Sequence, residues 1–309
     1  MNLQAELNKA GGFKNLELLA KQVVEGFISG MHKSPFHGFS AEFAEHKIYN
    51  QGESTRHIDW KLFAKTDKLY TKRYDDETNL RCHLIIDNSS SMHYPEQKEF
   101  SITNLNKIGF SALASASLMH ILKKQRDAVG LSIYSDTYDY YAPEKGSERH
   151  HQMLLARLSQ TVVSKQVNKQ TETYTYLHQI AENIHRRSLI FFFTDMFQTS
   201  IDDVKIFEAL RHLKHNKHEV VLFHVMDKEK EVKFDFDNTP KRFVDVETNE
   251  FINLYPDTVK EGYESAVSEY FKSIKLKCGQ YQIKYVEADI NKSFDKILTT
   301  YMVERQKFI

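Results

Sequence analysis

Residues 84–92 read Leu84-Ile85-Ile86-Asp87-Asn88-Ser89-Ser90-Ser91-Met92, and these residues decide the fold. The apolar, partly β-branched run ending at Ile86 has the character of a buried strand. It runs directly into a carboxylate and two hydroxyls at alternate positions, Asp87, Ser89 and Ser91. An open α/β sheet presents its ligand-binding groups in this way, at the carboxyl end of a strand. Only oxygen is on offer, so the matching guest is a hard divalent cation, Mg²⁺ first and Mn²⁺ second, rather than zinc.

A loop at a helix start carries positive dipole charge that repels a cation, so a further carboxylate is required. Asp195 meets that need. It closes a second buried-looking strand over residues 188–194, within Leu189-Ile190-Phe191-Phe192-Phe193-Thr194-Asp195. If the two strands are parallel neighbours, their carboxyl ends share one rim. A hydroxyl from a third loop completes the set; Thr175, at the start of a helical pattern, is preferred, with Thr173 as the alternative. The competing reading makes the serines helix caps and the aspartates turn residues.

This pattern, D-x-S-x-S after a strand, a threonine before a helix and a later strand-end aspartate, resembles the metal-ion-dependent adhesion site of von Willebrand factor type A domains. The resemblance assigns Asp87, Ser89, Ser91, Thr175 and Asp195 as metal ligands. One departure lies before the threonine, where Lys169-Gln170-Thr171-Glu172 stands in place of the glycine pair common in that family.

Upstream, residues 33–80 mix aromatics and charges without a helical or an alternating period, and they hold the single tryptophan, Trp60. Gly38, Glu42, Phe43, Tyr49, Gly52, Arg56, Ile58, Asp59, Trp60 and Ala64 resemble the signature block of the bacterial domain of unknown function family 58. In that family the block immediately precedes a von Willebrand A-like domain. Lys47, Lys65 and Glu53 depart from the usual Arg, Arg and Asp, which keeps charge but loses the bidentate guanidinium fork. Arg56 and Asp59 are spaced to pair, and Trp60 can bury its ring, so a packed subdomain is the favoured reading. A partner-docking face made of Arg56, Asp59 and Trp60 is the functional alternative. The resemblance implies a MoxR-type AAA ATPase as partner, and chaperone-like maturation of client proteins recognised through an acidic side chain.

The 309 residues carry 42 basic and 42 acidic side chains, so net charge supports neither a nucleic-acid footprint nor an anionic membrane partner. No apolar run reaches the roughly 20 residues of a membrane helix, and no signal-peptide core precedes the fold. Cys82 and Cys278, the two cysteines, have no metal-ligand spacing and read as reduced core thiols of a cytoplasmic protein.

Helical periods at 13–32, 99–123, 148–161, 175–187, 201–215, 257–276 and from about 291 alternate with strand patterns at 128–135, 188–194, 220–226 and 282–287. This alternation predicts an α/β fold, a doubly wound, mostly parallel sheet of the von Willebrand A or Rossmann-like type, with Thr137–Ala142 as an edge strand. The expected division is an N-terminal helix and signature segment over 1–80, then the main domain over 81–309. Residues 229–255 alternate apolar and polar positions between turn signals and predict an inserted hairpin or three-stranded meander.

His212, His215 and His218 are spaced along an exposed helix end rather than as a ligand set. No Walker loop, G-x-S-x-G or G-x-G-x-x-G occurs, so nucleotide hydrolysis has no support. Two functions from different classes follow: a metal-dependent protein-binding module that is not an enzyme, or a metal-dependent phosphatase using Asp87 as nucleophile. The second requires a general acid two residues on, where Ser89 stands.

Overall fold

The computed structural model describes residues 16–30, 43–49, 58–74, 80–97, 104–135, 139–164, 173–196, 200–245 and 250–305. In chain order the elements are α1 (Leu16–Gly30), β1 (Phe43–Ile48), α2 (Trp60–Thr66), β2 (Tyr70–Tyr74), β3 (Arg81–Asp87), α3 (Lys107–Lys124), β4 (Ala128–Tyr134) and β5 (Tyr140–Lys145). They continue with α4 (Glu148–Val163), α5 (Thr173–Asn183), β6 (Leu189–Thr194), α6 (Ser200–His215), β7 (Glu219–Met226), β8 (Lys241–Val244), β9 (Phe251–Leu254), α7 (Pro256–Gln280), β10 (Lys284–Asp289) and α8 (Asp295–Arg305).

The main sheet has six strands in the order β10-β7-β6-β3-β4-β5. All neighbours are parallel except β5, which runs antiparallel to β4 at the edge. The expected doubly wound, Rossmann-like α/β arrangement is therefore present. From β3 the chain steps outward through β4 to β5, then crosses back to β6 and steps the other way. The order reverses between β3 and β6, and ligands of such sheets bind in the crevice at that reversal.

The central strands are buried on both faces, which a parallel sheet demands of its sequence. Every residue of β6 is buried, with Ile190 and Phe192 packing towards α5, α6 and α7 and Phe191 reaching Tyr301 of α8 at 6.1 Å between ring centroids. Each such phenylalanine contributes on the order of 2–3 kcal/mol of burial. On that second face α3 packs against α1, α4 and α8. Its small residues Gly109, Ser111, Ala112, Ala114, Ser115 and Ala116 are all buried, so the helix can lie close to the strands beneath it.

The chain divides into a main unit and a smaller one, with a boundary at Asn79/Leu80. Helix α1 belongs to the same unit as residues 80–305, and Leu16, Ala20, Val24 and Phe27 form its buried stripe. The second unit contains β1, α2 and β2, with β1 and β2 paired antiparallel. The helical period of α1 reads as amphipathic, but only tertiary packing says that helices α3 and α4 cover it.

The insertion takes the hairpin form of the two expected, and only its first stretch departs from the strand pattern. Residues 228–232 form a single wide turn, and the ladder is two-stranded, β8 against β9. The segment around Phe234 and Phe236 alternates as a strand would, yet both rings pack on Phe243, at 5.3 and 5.2 Å, as an aromatic knot. Asp227 caps the wide turn by accepting from the Glu229 and Lys230 amides, which takes the backbone out of the extended region.

Candidate metal centre

Asp87 ends β3 and Thr194 ends β6. Because the strands pair in parallel with Ile86 opposite Phe193, the two side chains meet, and Thr194 Oγ1 donates to Asp87 Oδ2 at 2.8 Å. The other carboxylate oxygen accepts from the Ser89 amide at 2.9 Å, an Asx turn that bends the chain off the sheet. The bend carries Ser89 and Ser91 to one side, with their Oγ atoms 3.0 Å apart. The serines are not helix caps: Ser89 precedes the short 3₁₀ turn Ser90–His93 but makes no side-chain capping bond. The cap of α3 is Asn106, which accepts from the Gly109 amide at 2.9 Å.

Asp195 follows β6 directly and is 2% exposed. Its Oδ2 accepts from Lys107 Nζ at 2.8 Å, and the same ammonium donates to Glu231 Oε1 at 2.6 Å. Lys107 is 1% exposed and opens α3, a position where both desolvation and the helix dipole disfavour a cation. Burial lowers its pKa, but Asp195 and Glu231 outweigh that and hold the ammonium above the ordinary lysine value. Glu231 is itself pushed up by burial. Asp87 is raised to about 6, first by burial and then by the charge of Asp195.

Of the two third-loop hydroxyls, Thr173 and Thr175, Thr173 is the one on the buried face of its helix. Thr173 is the first residue of α5 and fully buried, and it lies beside the Tyr134 hydroxyl, which in turn faces Asp87. Thr175 is half-buried two positions later, turned about 200° around the helix from Thr173. The rim thus brings together Asp87, Ser89, Ser91, Asp195 and, through Tyr134, Thr173. Arg56 lies outside the described residues. Asp59 serves as the N-cap of α2, accepting from the Lys61 and Leu62 amides at 3.0 and 3.1 Å. Trp60 is 61% exposed and meets Phe63 edge-on, so it is not the packing anchor that the sequence favoured.

Lys107, Glu231, Thr194 and Tyr134 were not picked out from the sequence, and neither was His93. The ring of His93 shares the rim: Nε2 lies 3.0 Å from Asn88 Oδ1, while Asn88 Nδ2 donates to Asp139 Oδ2 at 3.2 Å. The carboxylate fixes the amide orientation, so Oδ1 accepts and His93 carries its proton on Nε2. Burial lowers the His93 pKa to about 4. A buried lysine at a helix start was the one signal in the sequence that could have exposed the ion-pair network, because such a residue must have a carboxylate partner.

The donors are all oxygen, the chemistry a small hard cation takes. The two serine hydroxyls share a hydrogen bond at 3.0 Å, so both stand on one side of the rim. Each carboxylate oxygen offers two acceptor positions, so the bonds already made to Asp87 and Asp195 leave capacity for a metal. The charge of Asp195 helps to raise the Asp87 carboxyl, and a positive charge beside them would relieve that. Asp87, Asp195, Ser89 and Ser91 are the residues that would hold it.

A second polar constellation is closed. His83 Nδ1 meets Glu144 Oε1 and Nε2 meets Ser132 Oγ, both at 2.7 Å. The connectivity is that of a hydrolase triad, but His83 and Ser132 have no exposed surface, so no substrate reaches the hydroxyl. The group joins β3, β4 and β5 across the sheet.

Fold and rim together define a Rossmann-like α/β protein with an oxygen-lined crevice where its strand order reverses. The chain matches the family described as "Protein of unknown function DUF58" over residues 45–270 and belongs to it. The uncharacterized proteins Rv1480 of Mycobacterium tuberculosis and Mb1516 of Mycobacterium bovis are each 22% identical over 150 residues, 48% of this chain. The match spans 45% of each relative, less than half its length. Among solved structures, the conserved hypothetical protein BatB from Bacteroides thetaiotaomicron aligns with a TM-score of 0.43 at 13% identity, over 74% of this chain and 100% of that one. An aerotolerance-related membrane protein from Bacteroides fragilis aligns at 0.42 and 13%, over 73% and 99%. Among the described residues, no helix is long and apolar enough to cross a membrane.

Proposed function

We propose that this protein is a metal-dependent protein-binding module of the von Willebrand A type, working with a MoxR-type AAA ATPase in the maturation of client proteins. The carrying observation is the meeting of Asp87, Ser89, Ser91 and Asp195 at one switch-point rim. A divalent cation, Mg²⁺ first, would supply an electrophilic contact for the carboxylate of a partner's Asp or Glu. Ser89 and Ser91 orient the open side of the rim. Lys107 neutralises Asp195 and Glu231 and offsets the repulsion among the buried carboxylates.

Binding rather than hydrolysis is supported by the residue two positions beyond Asp87: Ser89 stands where a phosphatase of the dehalogenase type would carry its acid. The exposed Trp60 supports a second contact surface in the signature segment.

The test is co-purification of the full chain with the AAA ATPase encoded by the same organism. Association should be lost on Ser89→Ala and in excess EDTA. Association indifferent to both removes the metal from the function, and phosphatase turnover abolished by Asp87→Asn replaces the binding reading with the enzymatic one.

A further inference from the structure

We propose that the opposite end of the sheet carries a second site, a cationic pocket that binds a small, multiply charged phosphate compound. The pocket has a volume of about 450 Å³ and is lined by Arg186, Arg187, His215, Asn216 and Lys217. These residues form the turns that lead into β6 and β7, at the amino ends of the strands, so the pocket lies a full strand length from the Asp87 rim.

The two turns are neighbours because β6 and β7 pair in parallel, with Leu189 opposite Glu219. They are also fixed to each other. Asn216 Nδ2 donates to the Ala181 carbonyl at 3.1 Å, the Ser188 amide donates to His218 Nδ1 at 3.1 Å, and the Glu219 amide donates to the Ser188 carbonyl at 3.1 Å. Walls tied in this way need little ordering when a ligand arrives, which favours binding.

Charge decides the ligand's sign. Both turns follow helix C-termini, of α5 and α6, and each end offers about half a negative charge to nearby cations. Against roughly one negative charge in total stand three permanent cations, Arg186, Arg187 and Lys217, so about two positive charges are left over. Among the described residues none of these three is ion-paired, and the nearest acid in the chain, Glu219, is taken by Lys214 at 3.0 Å. An anion seated there relieves the mutual repulsion of the three cations.

Shape and chemistry decide the class. The volume falls within the range of small-molecule sites, and guanidinium forks match phosphate oxygens in bidentate fashion. No aromatic side chain lines the pocket, so there is no stacking platform for the bases of single-stranded nucleic acid.

Calorimetric titration of the full chain with inorganic tripolyphosphate in 100 mM salt tests the site. The expected result is saturable binding of one equivalent, weakened about tenfold or more by Arg186→Gln combined with Lys217→Gln. The exposed control pair Lys272→Gln and Lys275→Gln should leave it unchanged. Absence of binding, or equal affinity in the pocket variant and the wild type, overturns the proposal. An octaglutamate peptide or an eight-nucleotide RNA that binds this pocket more tightly than tripolyphosphate overturns the ligand class. Circular dichroism of the variant, whose substitutions lie on the surface, separates loss of binding from loss of fold. The rim at Asp87 is untouched by these changes, so the outcome is independent of the metal reading.

Discussion

Lys107 Nζ lies 2.8 Å from Asp195 Oδ2, a buried ion pair between the first residue of α3 and the loop after β6. Glu231 shares the same ammonium. Removing one partner of a buried pair leaves uncompensated charge, so Lys107→Met should lower stability by about 3–5 kcal/mol. Urea unfolding at pH 7.5 without divalent ions measures this; a loss below about 1 kcal/mol would show that the carboxylates find water instead. Millimolar Mg²⁺ should recover more stability in this variant than in the wild type.

Asp87→Asn should have opposite effects with and without metal. Its carboxyl is held up near 6 by burial and by Asp195. The stability this group contributes is full below its ordinary pKa and lost as pH rises through about 6, a cost of up to about 3 kcal/mol at neutral pH. The variant should therefore melt higher than the wild type at pH 7.5 in EDTA. It should also lose the rise in melting temperature that Mg²⁺ gives the wild type. Equal Mg²⁺ shifts in both proteins would place the cation elsewhere.

His218 predicts the acid side of the stability profile. Burial pulls its pKa down to about 4, so the unfolded chain takes up a proton that the native state refuses. Stability from this group is complete above pH 6.5 and is lost as pH falls towards 4, by about 2–3 kcal/mol at most. Denaturant midpoints followed from pH 7.5 to 4.5 should fall less steeply in His218→Asn than in the wild type.

Gly130 has no room for a methyl group. A Cβ there would lie 2.5 Å from His83 Nδ1 and 2.9 Å from the Ala142 carbonyl, so either the ring or the edge strand must move. Gly130→Ala should cost about 1–3 kcal/mol through overpacking, and more if the His83–Glu144 bond breaks. A melting temperature within a degree of the wild type would mean that β5 shifts freely.

Trp60→Ala should leave stability within about 0.5 kcal/mol, as expected for an exposed side chain. Retention of the AAA ATPase on the immobilised variant measures its second effect. Weaker retention at unchanged stability makes Trp60 a contact residue, and unchanged retention removes it from the interface.

The sequence by itself determined the sheet and the end at which its oxygen donors gather. Uninterrupted apolar runs such as Leu189–Phe193 can be satisfied only by strands covered on both faces, and the oxygen donors after Ile86 and Thr194 mark the strand ends by chemistry alone. Only the tertiary structure decided how the rim is neutralised, because Lys107, Asp195 and Glu231 are 88 and 124 residues apart along the chain and no local period links them. The same holds for the burial of Thr173 against the partial exposure of Thr175, which depends on helix phase, and for the cationic pocket, which exists because two turns distant in sequence become neighbours when β6 pairs with β7. Local pattern fixes which residues are buried or extended; the pairing of strands fixes which charges meet.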